Sequence, residues 1–252
     1  MHKLIHKDIL TSSNQFLTDW IQQFPRNLLE ENIPAYSVVY TDYQTKGRGQ
    51  QEHTWESERG KNLLMSIILY PNILPSHQFL ICEQVSLAIA DFLDKQLGIE
   101  DVKIKWPNDI YIKNKKIAGI LVEHTIQHDR ILYSIAGIGL NINQASFASW
   151  IPNPTSVLIE TNNTYDIESI LQSIVENIKK ISTKEASLIH QKYIQYLYQY
   201  NQFARYKIIK TQEIHQLKII TVEPTGLLKT EDPMGEVYMF NFHEIEHLTE
   251  SY

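Results

Sequence analysis

Apolar side chains recur with a helical period in three segments of the first 200 residues. In SSNQFLTDWIQQF, residues 12–24, they fall three or four positions apart after two serines that favour a helix N-terminus. A second stripe runs over residues 76–97 and stops at Gly98, a residue type that favours the position just past a helix end. An interrupted third helical region is expected from Asp166 to about Tyr200.

Runs rich in β-branched and aromatic residues predict strands between these helices. They cover residues 36–43, 63–70 and 130–143, and a hairpin of two strands and a turn is expected at 102–124. The polar, glycine-bearing segment 44–62 connects the first two strands. A loop of that length in a compact domain is more often a lid or a binding loop than a spacer.

The predicted hairpin is unusually rich in lysine. Lys103 and Lys105 alternate with apolar residues, so we expect them on a solvated face. Lys116 precedes IAGILV, which is apolar on both faces and is expected to be a buried strand. A lysine held there is partly desolvated and interacts strongly with an anion. Lys115 also leads into this strand, so alternation alone does not choose between the two.

The pattern changes at about residue 201. Short strands are expected at YKIIK, HQLKIITVE, GLLKTE and EVYMFNF, separated by the turn sequences Pro224-Thr225-Gly226 and Asp232-Pro233-Met234-Gly235. We therefore expect two domains, a larger one at residues 1–200 and a small β-barrel at 201–252.

Composition narrows the class of protein. A formal net charge of −6 opposes a main role in wrapping nucleic acid, which needs a basic surface to release phosphate counterions. The single cysteine, Cys82, has no intramolecular disulfide partner, and its helical context predicts a packed core residue. With no charged-then-apolar leader and no apolar run near eighteen residues, a cytoplasmic setting without membrane association is expected.

Two further segments carry groups suited to binding. Gly47 and Gly49 flank Arg48, which would let the backbone approach an anion while the guanidinium binds it; a polar surface loop is the alternative. In GIGLNIN, two glycines leave space for a flat ligand, and Asn141 offers both a donor and an acceptor for an adenine edge; a simple bulge or turn is the alternative. Neither a G-x-G-x-x-G nor a Walker A sequence is present.

Taken in order, the motifs resemble those of one family. They are S-S-N-Q at 12–15, Y-Q-x-x-G-R-G at 43–49, K-W-P-N-D at 105–109, K-I-A-G-I-L-V-E at 116–123 and G-x-G-x-N at 137–141. This combination resembles the biotin protein ligases, in a form lacking the N-terminal DNA-binding domain. The resemblance implies an α+β fold, with a mixed β-sheet catalytic domain flanked by helices, as in class II aminoacyl-tRNA synthetases, and a small C-terminal SH3-like β-barrel.

The resemblance also implies a reaction. Biotin and ATP would form biotinyl-5′-AMP and pyrophosphate, with Mg²⁺, and the biotinyl group would pass to a lysine of a biotin carboxyl carrier protein. A lipoate or octanoyl ligase-type acyltransferase and a non-catalytic biotin-binding regulator are the alternatives. With eleven residues before Ser12, no DNA partner is expected. Both a monomer and a homodimer stay open.

Site residues follow by position in the motifs. The catalytic assignments are Lys116, Arg48 and Asp109, with Asp109 also expected beside the metal. The resemblance assigns biotin binding to Ser12, Ser13, Asn14, Gln44, Gly47, Arg48, Gly49, Gln50, Lys116 and Gly119, and ATP binding to Trp55, Asn108, Asp109, Lys116 and Asn141.

The loop departs from the pattern of the family. Many relatives carry further arginines or glycines after G-R-G, where this chain has Gln50, Gln51, Glu52 and His53. One cationic contact to the phosphates is therefore expected to be missing from the loop or supplied by Arg59 or Lys61.

Overall fold

A computed structural model of the chain describes residues 2–49 and 54–248. Within these residues there are six α-helices, namely α1 Ser13–Ile21, α2 Leu29–Asn32, α3 Phe79–Asp91, α4 Val157–Thr161, α5 Ile167–Ser182 and α6 Ala186–Tyr196. The strands are β1 Leu4–Leu10, β2 Val38–Gln44, β3 Leu63–Leu69, β4 Val102–Lys105, β5 Asp109–Ile112, β6 Lys115–Gln127, β7 Arg130–Leu140, β8 Phe203–Ile208, β9 Ile214–Val222, β10 Leu228–Glu231, β11 Val237–Phe240 and β12 Ile245–His247.

The first seven strands form one mixed sheet, here called the large sheet. Its order is β1-β2-β3-β7-β6-β5-β4, with β1 and β2 parallel and every other neighbouring pair antiparallel. Strand β3 is buried at all seven positions because helices cover both faces of the sheet. The expected α+β architecture with a mixed sheet flanked by helices is confirmed.

Alternating side chains of the central strands separate the two cores. Ile68 of β3 packs with Leu17 and Ile21 of α1 on one face. Ile67 packs on the other face, in the core that α3, α5 and α6 complete with residues such as Val85. Because successive side chains of a strand point to opposite faces, neighbouring apolar residues of β3 pack against different helices.

Most predicted helix ends are found where the sequence indicated. Ser12 is the extended N-cap of α1, and the Asp166 carboxylate accepts a hydrogen bond from Ser169 N at 2.8 Å at the start of α5. The interruption expected in the third helical region follows Ser182 and separates α5 from α6. Gly98 has φ +66°, as expected just past the end of its helix, although the last turn before it is a π-helical turn, Phe92–Gln96.

Two predictions about strands were wrong. Residues 102–124 hold parts of three strands rather than two, because the chain reverses direction between Lys105 and Asp109, so that β4 and β5 form an antiparallel pair of their own. Strand β1 was not predicted at all. Its sequence LIHKDIL mixes charged and apolar residues because β1 is an edge strand with most side chains exposed.

Cys82 is buried on α3, and burial raises the pKa of its thiol to about 12. Its Sγ donates a hydrogen bond to Pro107 O at 3.3 Å. The prediction of a core cysteine is confirmed. No helix within residues 2–49 and 54–248 combines the length and the apolar character needed to cross a membrane.

The remaining strands form a five-stranded antiparallel sheet, the C-terminal sheet, in the order β11-β10-β9-β8-β12. It packs against the first part of the chain through Phe242, whose ring centroid lies 5.4 Å from that of Trp106. Trp106 Nε1 also donates to Gly226 O at 3.1 Å. The division of the chain at residue 200 stays a prediction.

Candidate active site

One cavity of about 190 Å³, here called the site cavity, lies against the central strands β6 and β7. Residues of helix α1, of strands β5 to β7 and of the described part of the 45–62 loop surround it. Its lining residues are Ser12, Ser13, Asn14, Gln44, Arg48, Gly49, Thr54, Trp55, Asn108, Asp109, Lys116, Gly119, Ile120, Leu121, Gly137, Ile138, Gly139 and His243. The cavity therefore brings together eleven of the fourteen residues assigned by the motifs.

The N-terminus of α1 supplies a polar end to this cavity. Ser13 N donates to Gln44 Oε1 at 2.7 Å, and Ser66 Oγ donates to Ser13 Oγ at 2.7 Å. Ser66 Oγ also lies 2.5 Å from Asn14 Oδ1. Since Ser13, Asn14 and Ser66 are all buried, their orientations are fixed by these contacts before any ligand enters.

Arg48 is anchored to the large sheet by Glu123. Its Nη2 lies 2.9 Å from Glu123 Oε2, and the same oxygen accepts a hydrogen bond from Asn14 Nδ2 at 2.7 Å. The carboxylate on β6 thus connects the arginine loop with the N-terminus of α1. Glu123 therefore orients two residues that the motifs assigned to the site, Arg48 and Asn14, although no role was assigned to Glu123 itself.

Lys116 and Asp109 form the charged end of the cavity. Lys116 Nζ lies 2.7 Å from Asp109 Oδ1. The backbone of Lys116 is itself fixed, because its N–H donates to Asn153 O at 2.7 Å and its carbonyl accepts from Thr155 N at 2.9 Å. Asp109 pairs with Gly119 across the β5–β6 ladder, and both residues line the cavity.

Asn108 has a structural contact in addition to its place in the cavity wall. Its buried Nδ2 donates to Ile120 O on β6. Because a buried amide seeks hydrogen bonds for both ends, this contact fixes the orientation of the side chain.

Trp55 occupies the surface above two glycines of the sheet. A Cβ at Gly139 would clash with the indole ring, and one at Gly119 would lie 3.0 Å from Cζ3. Trp55 Nε1 is buried and finds no hydrogen-bond partner among the residues that the structure describes. The space predicted for a flat ligand is thus filled here by the indole at Gly139 and, at Gly137, by the Asn14 amide.

The arginine loop is closed at its base. Trp55 N donates to Gly47 O at 3.0 Å, and Arg48 forms an antiparallel bridge with Thr54. A Cβ at Gly47 would clash with Trp55 O, so glycine is needed for this close approach. Gly47 stands behind the cavity wall rather than in it.

Two assigned residues, Gly47 and Asn141, do not line the cavity. Asn141 is buried behind the cavity, where Nδ2 donates to Thr155 O at 2.9 Å and Oδ1 has no partner in the described part of the chain. Gln50 falls outside the described residues. Arg59 and Lys61, the suggested replacements for a missing cation, do not line the cavity as described.

Sequence reasoning missed residues that reach the site from a distance. His243, in the turn between β11 and β12, lines the cavity although no local pattern connects it with Lys116. The sequence contains an indication for Ser66, because it is the one serine in the apolar run LLMSIILY. Glu123 had a weaker one, as the last residue of a matching motif.

The amino-acid sequence of this chain resembles those of known proteins. The model of the biotin/lipoate A/B protein ligase family matches residues 16–142. The bifunctional ligase/repressor BirA of Bacillus spizizenii is 36% identical over 143 residues, which cover 57% of this chain and 41% of that protein. Biotin–protein ligase 2 of Arabidopsis thaliana is 41% identical over 115 residues, covering 44% and 34%. Each match spans less than half of the relative's length.

The fold has a close counterpart among solved structures. A biotin protein ligase from Aquifex aeolicus, in complex with biotin and ATP, superposes with a TM-score of 0.74 over 98% of this chain and 99% of that one, at 22% identity. This likeness concerns the fold. Because the family model matches half of the chain, including the arginine loop, the lysine-rich strands and β7, the chain belongs to the biotin/lipoate A/B protein ligase family.

Proposed function

We propose that the protein is an ATP-dependent biotin protein ligase. It would convert biotin and ATP into biotinyl-5′-AMP and pyrophosphate, then transfer the biotinyl group to a lysine of a biotin carboxyl carrier protein. The observation that carries this proposal is the pairing, in one cavity, of an oriented polar end at Ser13 and Asn14 with a charged end at Lys116 and Asp109.

The polar end suits the ureido group of biotin. That group presents one carbonyl acceptor and two N–H donors, and it carries no charge. Ser12, Ser13, Asn14 and Gln44 offer neutral donors and acceptors at this end. Ile120, Leu121 and Ile138 supply apolar walls for the remainder of the ligand.

The charged end suits the activation of a carboxylate. A carboxyl group with a pKa of about 4.3 is ionised at neutral pH, so the attack on the α-phosphate needs no general base. Two anions must instead be brought together. The ammonium of Lys116, held by Asp109, would lower their repulsion and stabilise charge that develops on the α-phosphate.

The donor set at this end fits Mg²⁺ brought in by the nucleotide. Asp109 offers one carboxylate, and Mg²⁺ is commonly held by one or two carboxylates together with substrate phosphates. In the described part of the chain, the one group of three possible metal ligands is His6, Asp8 and Asp42, none of which lines the cavity. When bound, the ion would neutralise phosphate charge.

The loop that carries Arg48 and Trp55 would protect the product. Biotinyl-5′-AMP is a mixed anhydride that water hydrolyses, and an indole packed over Gly119 and Gly139 excludes water from that surface. The carrier lysine must lose a proton before it attacks. Asp109 would orient that amine and accept the proton, since it is the carboxylate in the charged end.

Biotin-dependent ATP–pyrophosphate exchange tests the proposal, followed by transfer of labelled biotin to a purified carrier domain. We expect both reactions with biotin and neither with lipoate or octanoate. Exchange that responds to lipoate would favour the acyltransferase alternative. Biotin binding without any exchange would show a non-catalytic binding protein and would refute the ligase.

A further inference from the structure

A second cavity, here called the junction cavity, lies where the C-terminal sheet meets the lysine-rich strands. Its volume is about 520 Å³. It is lined by Lys105, Trp106, Pro107, Tyr198, Tyr206, Ile209, Ile219, Leu228, His243, Ile245, Glu246 and His247. His243 lines the site cavity as well, so the two cavities share a wall.

Lys105 is the notable side chain in this cavity. In the part of the chain that the structure describes, no carboxylate oxygen lies within ion-pair distance of its ammonium, whereas Lys116 has Asp109 at 2.7 Å. The Lys105 ammonium lies 5.1 Å from the centroid of the Tyr111 ring, and burial lowers its pKa. The carboxylates of Asp109 and Glu246 act on this cation only from beyond ion-pair distance, so its burial is costly, and an incoming anion would relieve that cost.

A second polar group in the same cavity also lacks a partner. His247 Nε2 lies 2.5 Å from Gln199 Oε1, whereas its Nδ1 is buried with no hydrogen bond to any described residue. Burial, and then the charge of Lys105, lower the pKa of His247 to about 4. Next to Lys105, His247 is therefore a neutral imidazole that adds no charge to the cavity wall.

The volumes show that the site cavity does not hold both substrates by itself. A pocket for one drug-sized ligand has roughly 300–1,000 Å³, and the site cavity has about 190 Å³. A nucleotide bound together with biotin would extend beyond a cavity of this size. Asp109 faces Lys105 across the β4–β5 ladder and holds Lys116 on β6, so the three charges alternate in sign from the site cavity towards the junction cavity.

Building on the proposed ligase activity, we propose that Lys105 binds the β- and γ-phosphates of ATP and the departing pyrophosphate at the entrance of the junction cavity. In the activation step, a carboxylate oxygen forms the new bond to the α-phosphorus, and the bond from that phosphorus to the bridging oxygen breaks. The electron pair leaves with pyrophosphate, which gains one negative charge. The Lys105 ammonium stabilises that charge where it develops.

The test compares three single variants with the wild-type protein in the biotin-dependent ATP–pyrophosphate exchange. Lys105→Met removes the charge at similar length, Lys105→Arg restores it, and Lys103→Met is the matched control on the same strand, outside both cavities. We expect the KM for inorganic pyrophosphate to rise about tenfold or more in K105M, since a hydrogen bond to a charged group contributes about 1.5–3 kcal/mol. It should stay near the wild-type value in K105R and K103M.

Single-turnover transfer from isolated biotinyl-5′-AMP provides the second readout, because that half-reaction contains no pyrophosphate. Its rate should be unchanged in K105M. An unchanged KM for pyrophosphate would refute the proposal, as would a loss confined to transfer, which would assign Lys105 to the carrier protein. If K105M does not fold, K105Q replaces it with the same criteria. A wild-type protein without exchange would refute the ligase itself.

Discussion

The Glu123 carboxylate joins Arg48 and Asn14 through a single oxygen, Oε2, at 2.9 and 2.7 Å. Arg48 belongs to a loop and Asn14 to the first turn of α1. Two segments that are distant in the sequence are thus held by the same residue of β6, Glu123. The side chains of Arg48 and Glu123 are 41% and 40% exposed. At that exposure the pair adds little to stability, and its effect is on the positions of the side chains around the ligand.

Replacing Glu123 with Gln should therefore weaken biotin binding and leave folding nearly intact. We expect the dissociation constant for biotin to rise about threefold to tenfold, because an equilibrium changes tenfold for each 1.4 kcal/mol. Isothermal titration calorimetry with a thermal melt measures both effects. Asp129→Asn, at the far end of the same hairpin, is the control. Equal affinities for E123Q and wild type would show that Glu123 does not position the site.

Lys116→Ala should lose adenylate formation. Removing one group that stabilises transition-state charge costs about 10²-fold or more in rate, so exchange should fall by at least that factor while biotin still binds. Lys115→Ala is the matched control, since Lys115 is exposed and lies outside the cavity. A normal exchange rate in K116A, or an equal loss in K115A, would contradict the role given to Lys116.

The sequence motifs identified those site residues that lie within the motifs themselves. Asp109 and Lys116 could be found because they lie in the K-W-P-N-D and K-I-A-G-I-L-V-E motifs. Lys105 was misjudged for a physical reason: alternation on β4 assigns it to a polar face, and nothing in VKIKW reveals that the C-terminal sheet covers this face. His243 was missed for the same reason. Contacts between distant segments depend on packing that no short window of sequence contains.

His247 predicts how stability responds to acid. Its pKa is lowered to about 4 in the folded protein, from an ordinary value of 6.5, so between these two values the unfolded chain binds more protons. Stability should therefore be highest above pH 6.5 and be lost as the pH falls towards 4. Urea unfolding at pH 7.5 and pH 5.0 measures the loss.

The variant His247→Gln should lose less stability between these two pH values than wild type, because glutamine at position 247 does not titrate. His77→Gln, at an exposed position, should keep the wild-type pH dependence. Parallel pH profiles for wild type and H247Q would show that His247 is not the source of the acid sensitivity.

Trp55→Ala should make the protein release or hydrolyse the proposed intermediate, biotinyl-5′-AMP. The indole lies over Gly119 and Gly139, and its loss would open that surface to water while leaving Lys116 and Asp109 in place. We expect adenylate still to form, with its decay in the absence of carrier several-fold faster than in wild type. Labelled adenylate, trapped on the protein and followed over time, measures this decay. Trp150→Ala removes an indole that is 62% exposed and should leave the decay unchanged. If W55A retains the intermediate as long as W150A does, the indole does not exclude water, and protection of the anhydride must come from another part of the loop.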